Sequence, residues 1–123
     1  MRSFLTMKYL ISVLTDPTES RSNMAKVAHV ILYAMELKKN RHEVLVYFDG
    51  GGIKAVENEN LRKYIELAVK EGLIYGACGY CASPSHIGGK EKIEKIGIRL
   101  IGNEDNHIGI AELVNEGYYP IIV

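Results

Sequence analysis

Two cysteines, Cys78 and Cys81, are the residues of this chain whose type and spacing are best suited to chemistry. They are the only cysteines among the 123 residues, and they form a Cys-x-x-Cys pair. A cysteine reacts as its thiolate, and a free cysteine has a pKa of about 8.5. Pairs at this spacing serve sulfur transfer, dithiol–disulfide exchange and metal binding. We therefore predict sulfur or redox chemistry, with Cys78 as the catalytic residue and Cys81 acting beside it.

Zinc binding and plain packing are the alternative interpretations of the cysteine pair. Zinc ligands of the usual types could come from four residues, Cys78, Cys81, His86 and His107. A single Cys-x-x-Cys is only half of a structural zinc site, however, and a chain of this length can fold around its own core without a metal. Alternatively, both cysteines are small buried residues that do no chemistry. We expect no metal and no other cofactor.

The residues around the pair predict how it is positioned. Residues 73–77 form an apolar run that is typical of a strand, and open parallel sheets bind their ligands beyond the carboxyl ends of strands. Ser83-Pro84-Ser85 resembles a helix start, with a hydroxyl cap and a proline in the first turn. The positive end of that helix would favour a thiolate at Cys81 and also at Cys78.

Further polar and glycine residues follow the other predicted strands and are expected at the same sheet edge. Residues 15–22 follow the first strand, 49–52 follow the second, and 102–107 follow the fourth. His86 can act as a base or a hydrogen-bond donor because imidazole titrates near neutrality. The residues predicted to bind substrate or to support the thiols are His86, Asp49, Gly50, Gly51, Thr15 and Asp16.

The hydroxyl-rich segment after the first strand has two interpretations. Its side chains could bind a phosphate at a helix N-terminus, as in sheets that bind flavin mononucleotide. Helix capping by Thr18, Ser20 or Ser22 accounts for the same residues more simply. The sequence has no Gly-x-Gly-x-x-Gly opening a helix and no P-loop, so a dinucleotide-binding fold is not expected.

Strand and helix patterns alternate along the chain. Nearly continuous apolar runs at residues 8–14 and 43–48 are typical of strands covered on both faces, and residues 23–39 place apolar side chains at helical spacing. The alternation predicts the α/β class, as a three-layer α/β/α fold with a five-stranded, mostly parallel sheet. Pro120 indicates that the last strand lies at a sheet edge.

Glycine and asparagine mark where the predicted helices end. Asn40 is predicted to end the first helix in a left-handed conformation. Three later helix patterns are each followed by a glycine and then an apolar strand, at Gly72, Gly97 and Gly117. Glycine adopts the left-handed conformation without steric penalty, so each of the three predicts a sharp turn back into the sheet.

Length and charge restrict the classes of protein that the chain can represent. One domain is expected over residues 8–123, preceded by a loose extension over residues 1–7. The 15 Lys and Arg residues balance the 15 Asp and Glu residues, which does not favour binding to nucleic acid or to an anionic membrane. The sequence shows neither a membrane-spanning run nor a signal-peptide pattern. A Cys-x-x-Cys without a secretion signal favours the cytoplasm.

The chain from Lys8 onward resembles the DsrE/DsrF/TusD-like family of small sulfur-relay proteins. The similarity rests on the first strand with its hydroxyl-rich loop, on residues 42–50, which end in Asp-Gly, on residues 76–82 around the cysteine pair, and on residues 97–102. The resemblance implies a DsrE-like α/β/α fold and an oligomer, often a trimer or hexamer. It also implies that Cys78 carries a persulfide, because the family's cysteine lies at the end of the third strand. Residues 83–86 depart from the family, in which small and basic residues are common there.

The leading prediction of function is a sulfurtransferase-like sulfur carrier. Cys78 would accept sulfane sulfur from a donor protein as a persulfide and pass it to an acceptor protein. Two alternatives stay open, a thiol–disulfide oxidoreductase that uses both cysteines and a non-catalytic module that binds a small ligand at the sheet edge. The expected partners are the sulfur donor, the sulfur acceptor and further copies of the chain in a homo-oligomer, with neither nucleic acid nor membrane.

Overall fold

Five apolar segments form one sheet in the computed structural model, which describes residues 5–123. The strands are β1 (Lys8–Val13), β2 (Glu43–Phe48), β3 (Ile74–Cys78), β4 (Leu100–Ile101) and β5 (Tyr119–Ile122). Their order across the sheet is β4-β3-β2-β1-β5, and every pairing is parallel. The predicted α/β/α fold with a five-stranded sheet is confirmed, and the sheet is parallel throughout.

Helices flank this sheet. The α-helices are α1 (Arg21–Lys39), α2 (Arg62–Lys70), α3 (Gly79–Ala82), α4 (Lys90–Ile96) and α5 (Ala111–Asn115), and 3-10 helices span Gly50–Ala55 and Glu59–Leu61. Helix α1 contacts both β2 and α2. Because crossovers between parallel strands are right-handed as a rule, this strand order predicts the helices between β1 and β4 on one face of the sheet and α5 on the other.

The core lies on both faces of the central strands. In β1, the successive residues Leu10 and Ile11 are both buried, although they point to opposite faces. In β2, Tyr47 and Phe48 are likewise fully buried. A sheet covered by helices on both sides explains why these strands are continuous apolar runs instead of alternating ones.

The glycine turns are confirmed, and the asparagine turn is wrong by one residue. Gly72, Gly97 and Gly117 all have left-handed backbones, with φ of 71°, 92° and 100°. Asn40 has φ of −92°, and the left-handed residue is Arg41, with φ of 71°. The backbone N–H and the side-chain amide of Asn40 both donate to Glu36 O, which keeps Asn40 on the last helical turn.

The helix predicted to begin at Ser83-Pro84-Ser85 does not begin there. The chain becomes helical directly after β3, and Ser83 is the residue that ends α3. The hydroxyl of Ser83 donates to Tyr80 O at 2.8 Å, so it closes one helix and does not open another. The next helix begins at Lys90, after Gly89. The predicted effect of a helix starting at residue 83 on the thiols is therefore wrong.

The ends of the chain add two observations. Strand β5 lies at one edge of the sheet, as Pro120 predicted, and within residues 5–123 it pairs with β1 alone. The predicted extension over residues 1–7 lies partly outside the described residues. Within its described part, Met7 O accepts a hydrogen bond from Glu43 N at 2.9 Å, and Met7 N donates to His42 Nδ1.

Among residues 5–123, no helix combines the length and apolar character needed to cross a membrane.

Candidate functional site

The carboxyl ends of three neighbouring strands bring four chemically active side chains together. Asp49 follows β2, Cys78 ends β3, Cys81 lies in α3, and His107 lies in the connection after β4. One sulfur, nitrogen or oxygen atom from each of the four lies within 4.8 Å of the corresponding atoms of the other three. We call Asp49, Cys78, Cys81 and His107 the carboxyl-edge cluster. The predicted sheet edge therefore does gather the cysteines with polar residues of other loops.

Cys78 is the innermost member of the cluster. Its side chain has no exposed surface, and its sulfur accepts a hydrogen bond from Cys81 N at 3.3 Å. Cys78 is thus the N-cap of α3, the position at which a side chain satisfies a free backbone N–H of the first turn. Of the two cysteines, Cys78, the predicted nucleophile, is therefore the one whose sulfur caps a helix.

Gly79 explains why the chain can turn into a helix at this point. A Cβ atom on Gly79 would lie 2.3 Å from Gly102 O, which is closer than any side chain permits. Only glycine lets the start of α3 pass so close to the loop that follows β4. The small residue after Cys78 thus allows β3 and the loop after β4 to bring their side chains together.

Cys81 is half-buried and behaves differently from Cys78. Its S–H donates to Asp49 Oδ1, with 3.6 Å between Cys81 Sγ and that oxygen. Burial, followed by the hydrogen bond and the charge of Cys78, raises the pKa of Cys81 to about 12, and the carboxylate of Asp49 acts in the same direction. The Gly50 N–H acts in the opposite direction, but less strongly. Cys81 is therefore a protonated thiol at neutral pH when the cluster holds no cation.

Asp49 connects the two sides of the cluster. It is 9% exposed, and its Oδ1 accepts a hydrogen bond from Gly50 N at 2.8 Å. The same oxygen lies 3.1 Å from His107 Nε2, at a distance for a hydrogen bond or, with a protonated imidazole, an ion pair. Of the predicted supporting residues, Asp49 therefore belongs to the cluster, and Gly50 contacts it through its backbone N–H.

Tyr47 lies beneath the cluster and was not among the predicted site residues. It is fully buried, and its hydroxyl donates to Ile108 O at 2.7 Å, next to His107. Burial first, and then the charges of Cys78 and Asp49, raises the pKa of Tyr47 well above its ordinary value, so the hydroxyl stays a donor. Within an apolar strand, a tyrosine gives no sequence signal that distinguishes a site residue from a core residue.

His86 lies next to the cluster but does not belong to it. Its ring stacks on the Tyr80 ring, with centroids 3.9 Å apart, and its Nε2 lies 3.3 Å from Glu104 O. Tyr80 also meets the His107 ring edge-on at 5.8 Å, so it separates the two histidines. His107 therefore takes the position beside the thiols for which His86 was predicted. The signal for His107 was its place in the loop after the fourth strand.

The remaining predicted site residues support the loop after β1 instead of the thiols. Asp16 accepts hydrogen bonds from both the N–H and the hydroxyl of Thr18, and pairs with Lys54 at 3.1 Å. A Cβ on Gly51 would lie 2.9 Å from Asp16 Cβ, so Gly51 allows close packing there. The Thr15 N–H donates to Val123 O at 3.2 Å. These residues hold the backbone of the neighbouring loops in place.

Helix capping, the simpler interpretation of the hydroxyl-rich segment, agrees with the structure. Ser20 is the N-cap of α1, and its hydroxyl oxygen accepts a hydrogen bond from Asn23 N at 3.0 Å. The Asn23 side chain in turn donates to Asp16 O. The hydroxyl and amide groups of this segment thus serve the start of the helix.

The cluster combines two thiols, a carboxylate and an imidazole, and this set of groups can perform sulfur transfer, dithiol oxidation or metal binding. Comparisons of the chain with protein-family models, with curated proteins and with solved structures give no significant match.

Proposed function

We propose that this protein carries sulfane sulfur as a persulfide on Cys78 and passes it to an acceptor. The observation that supports the proposal most strongly is the position of the Cys78 sulfur, which ends β3 and accepts the Cys81 N–H at 3.3 Å. Sulfur transfer requires one cysteine that first attacks a donor and later leaves from the persulfide. The sulfur of Cys78 lies at the sheet edge with a backbone N–H donor beside it, an arrangement suited to both roles.

Loading and delivery are two thiol-exchange steps of the same kind. In loading, the Cys78 thiolate attacks the outer sulfur of a donor persulfide, the donor's S–S bond breaks, and the donor leaves as a thiolate. Cys78 then holds the additional sulfur through a new S–S bond. In delivery, an acceptor thiolate attacks that outer sulfur, and Cys78 leaves as a thiolate. Neither step is a net oxidation or reduction, so no external oxidant or reductant is required.

Access to Cys78 requires movement at the outer side of the cluster. Cys78 has no exposed surface, whereas Cys81 is half-buried and the His107 side chain is 44% exposed. A donor therefore approaches from the side of Cys81 and His107, and one of these side chains shifts to make room for a second sulfur atom. The loop that carries His107 is the segment best placed to move, because it connects strands and packs at the surface.

The test is the intact mass of the parent and of two variants after exposure to a sulfane-sulfur donor, followed by alkylation. We expect the parent and Cys81→Ser to gain the mass of one sulfur atom and Cys78→Ser to gain none. Loading that survives in Cys78→Ser would reject Cys78 as the carrier. Circular dichroism of each variant shows whether it is folded, so that lost loading is not mistaken for lost structure.

Thiol–disulfide exchange is a second candidate function, and one observation favours it. The sulfur atoms of Cys78 and Cys81 lie within 4.8 Å of each other, so a rotation of one side chain could bring them to the bonding distance of about 2.05 Å. This function requires both thiols, whereas a carrier requires only Cys78. A donor that produces a Cys78–Cys81 disulfide and no added sulfur, with a reduction potential in the range of redox enzymes, would favour exchange.

We further propose a DsrE-like sulfur-relay protein that assembles as a homo-oligomer, a trimer or hexamer, and exchanges sulfur with donor and acceptor proteins. A cysteine ending the third strand and an Asp-Gly after the second support this relationship. Exposed apolar side chains support the oligomer, namely Leu32 and Tyr33 on α1 and Tyr119 and Ile122 on β5. Two free thiols are consistent with a reducing compartment, so we place the protein in the cytoplasm.

A further inference from the structure

We propose that the carboxyl-edge cluster is a binding site for one Zn²⁺ ion, with Cys78, Cys81, Asp49 and His107 as its four ligands. The site rests on geometry alone. Its consequence, that zinc and sulfane sulfur exclude each other at Cys78, rests in addition on the proposed carrier function.

The chemistry of the four donor atoms suits zinc. Two sulfurs, one imidazole nitrogen and one carboxylate oxygen are all ligand types that Zn²⁺ uses, and four protein ligands are usual for a closed zinc site. Thiolate ligands select against magnesium and calcium, which prefer oxygen. Both sulfurs coordinate as thiolates, and any protons that they hold are released to solvent. Two thiolates and one carboxylate around a divalent ion then leave the site with a single net negative charge.

The spacing of the donor atoms also suits zinc. With metal–ligand bonds of about 2.0 to 2.3 Å, a tetrahedral site has ligand atoms about 3.3 to 3.8 Å apart. Asp49 Oδ1 lies 3.1 Å from His107 Nε2 and 3.6 Å from Cys81 Sγ. All six distances among the four atoms are 4.8 Å or less. Small side-chain rotations are therefore enough to enclose an ion, without rearrangement of the sheet.

Backbone groups already orient two of these ligands. Gly50 N donates to Asp49 Oδ1 at 2.8 Å, and Cys81 N donates to Cys78 Sγ at 3.3 Å. Hydrogen bonds to the ligand atoms are the usual means by which a protein fixes metal ligands and tunes their charge. The ring of Tyr80 packs edge-on against His107 and restricts its orientation.

The ligand set differs from the one that the sequence suggested, and the difference provides a control. His86, one of the two histidine ligands in the sequence-based alternative, stacks on Tyr80, and its Nε2 lies 3.3 Å from Glu104 O. Asp49 takes its place. Two histidines of one chain, separated by a single tyrosine ring, are therefore expected to differ sharply in their effect on metal binding.

A bound ion would also control the chemistry of the thiols. Coordination engages the sulfur lone pair with which Cys78 would attack a donor persulfide, and it holds the outer ligands Cys81 and His107 over Cys78. Zinc-bound protein should consequently not load sulfur. Removal of zinc by a chelator should restore loading.

The experiment is a titration of the full-length, reduced and metal-free protein with Co²⁺, which reports the ligands through its absorption spectrum, followed by competition with Zn²⁺. We expect one metal ion per chain, absorption bands of a tetrahedral site with thiolate ligands, and displacement of cobalt by zinc. Asp49→Asn and His107→Asn should each weaken binding about tenfold or more, as lost metal-site groups commonly do. His86→Asn should bind like the parent.

Three results would overturn the site. They are a folded parent that shows no cobalt–thiolate absorption, a stoichiometry well below one ion per chain at saturation, and equal effects of His107→Asn and His86→Asn. Circular dichroism of every variant separates loss of a ligand from loss of the fold.

A parallel measurement separates this inference from the proposed function. The parent is exposed to a sulfane-sulfur donor with zinc bound and after chelation, and its intact mass is recorded. Loading only after chelation supports mutual exclusion, and equal loading in both states contradicts it. Sulfur loading without metal binding would overturn the zinc site alone. Metal binding without sulfur loading in the chelated protein would overturn the carrier function alone.

Discussion

At the scale of single residues, the two cysteines differ because their surroundings differ. Cys78 is fully buried and accepts a backbone N–H, whereas the half-buried Cys81 faces the carboxylate of Asp49. Burial and neighbouring negative charge both disfavour a second thiolate. The Cys-x-x-Cys pattern shows that two thiols are close together, but it does not show how their surroundings differ. Burial and the contact with Cys78 raise the pKa of Cys81 most, and Asp49, in the loop after β2, adds a smaller effect in the same direction.

Tyr47 provides a prediction at this scale. Its buried hydroxyl donates to Ile108 O and so ties the connection after β4 to the sheet. Tyr47→Phe should lower the free energy of unfolding by about 1 kcal/mol, the usual contribution of one such hydrogen bond. Urea unfolding measures the change. Tyr33→Phe, at an exposed tyrosine of α1, is the matched control and should have almost no effect. Equal stability of Tyr47→Phe and the parent would contradict this role of the hydroxyl.

Asp16 provides a pH-dependent prediction. Burial opposes its ionisation, but the hydrogen bonds from Thr18 and the contact with Lys54 outweigh burial and lower the pKa of Asp16 below its ordinary value. Because the folded-state pKa is the lower one, folding favours the carboxylate. The resulting stability is present above the unfolded-state pKa of about 3.9 and is lost as the pH falls through the folded-state value.

Asp16→Asn should therefore be less stable than the parent at neutral pH, with a difference that narrows in acid. Urea unfolding of both proteins between neutral pH and acid measures this difference. A difference that stays constant or widens as the pH falls would show that the carboxylate charge is not its source.

At the scale of elements, α3 depends on a close approach between two loops. The sequence rules for helix starts look for Ser, Thr, Asp or Asn caps, so they indicate Ser83 and overlook the thiol of Cys78, which is the observed N-cap. The strands, by contrast, are long apolar runs, and the bounds of β2 agree fully with prediction. Strong periodic patterns predict elements well, whereas a short helix capped by an unusual side chain gives almost no local signal.

Gly79 gives the prediction at this scale. A Cβ there would overlap Gly102 O, at 2.3 Å, so Gly79→Ala must push the start of α3 away from the loop after β4. We expect a loss of about 1 to 3 kcal/mol in unfolding free energy, as for other overpacked positions. Thermal and urea unfolding measure the loss. At Gly109, a Cβ would meet nothing within 4 Å, so Gly109→Ala is the matched control and should be close to neutral.

At the scale of the whole molecule, the alternation of strands and helices predicted the architecture. Which residues form the site, however, depends on the order of the strands in the sheet. Strand order places β2, β3 and β4 side by side, which brings Asp49, Cys78 and His107 together. Local sequence carries no information on such pairings. The sequence patterns therefore predicted correctly that the loops lie at one edge of the sheet. They favoured His86, which is nearer to the cysteines in sequence, for the position that His107 occupies.

The exposed apolar side chains lead to a prediction for the assembly. Tyr119 and Ile122 on the edge strand β5 are 63% and 61% exposed, and Tyr33 on α1 is 57% exposed. An edge strand with apolar side chains is a common surface for association between chains. Light scattering coupled to size exclusion should give the mass of three or six chains. The mass of a single chain across a range of concentrations would contradict the proposed oligomer.

The location of added sulfur tests the central claim most directly. The parent protein, stripped of metal, is loaded with a sulfane-sulfur donor, alkylated, digested and mapped by mass spectrometry. We predict one additional sulfur on the peptide that contains both cysteines, with fragment ions that place it on Cys78 and an alkylated thiol on Cys81. Added sulfur on Cys81 alone, or a Cys78–Cys81 disulfide with no added sulfur, would contradict the assignment of Cys78 as a persulfide carrier.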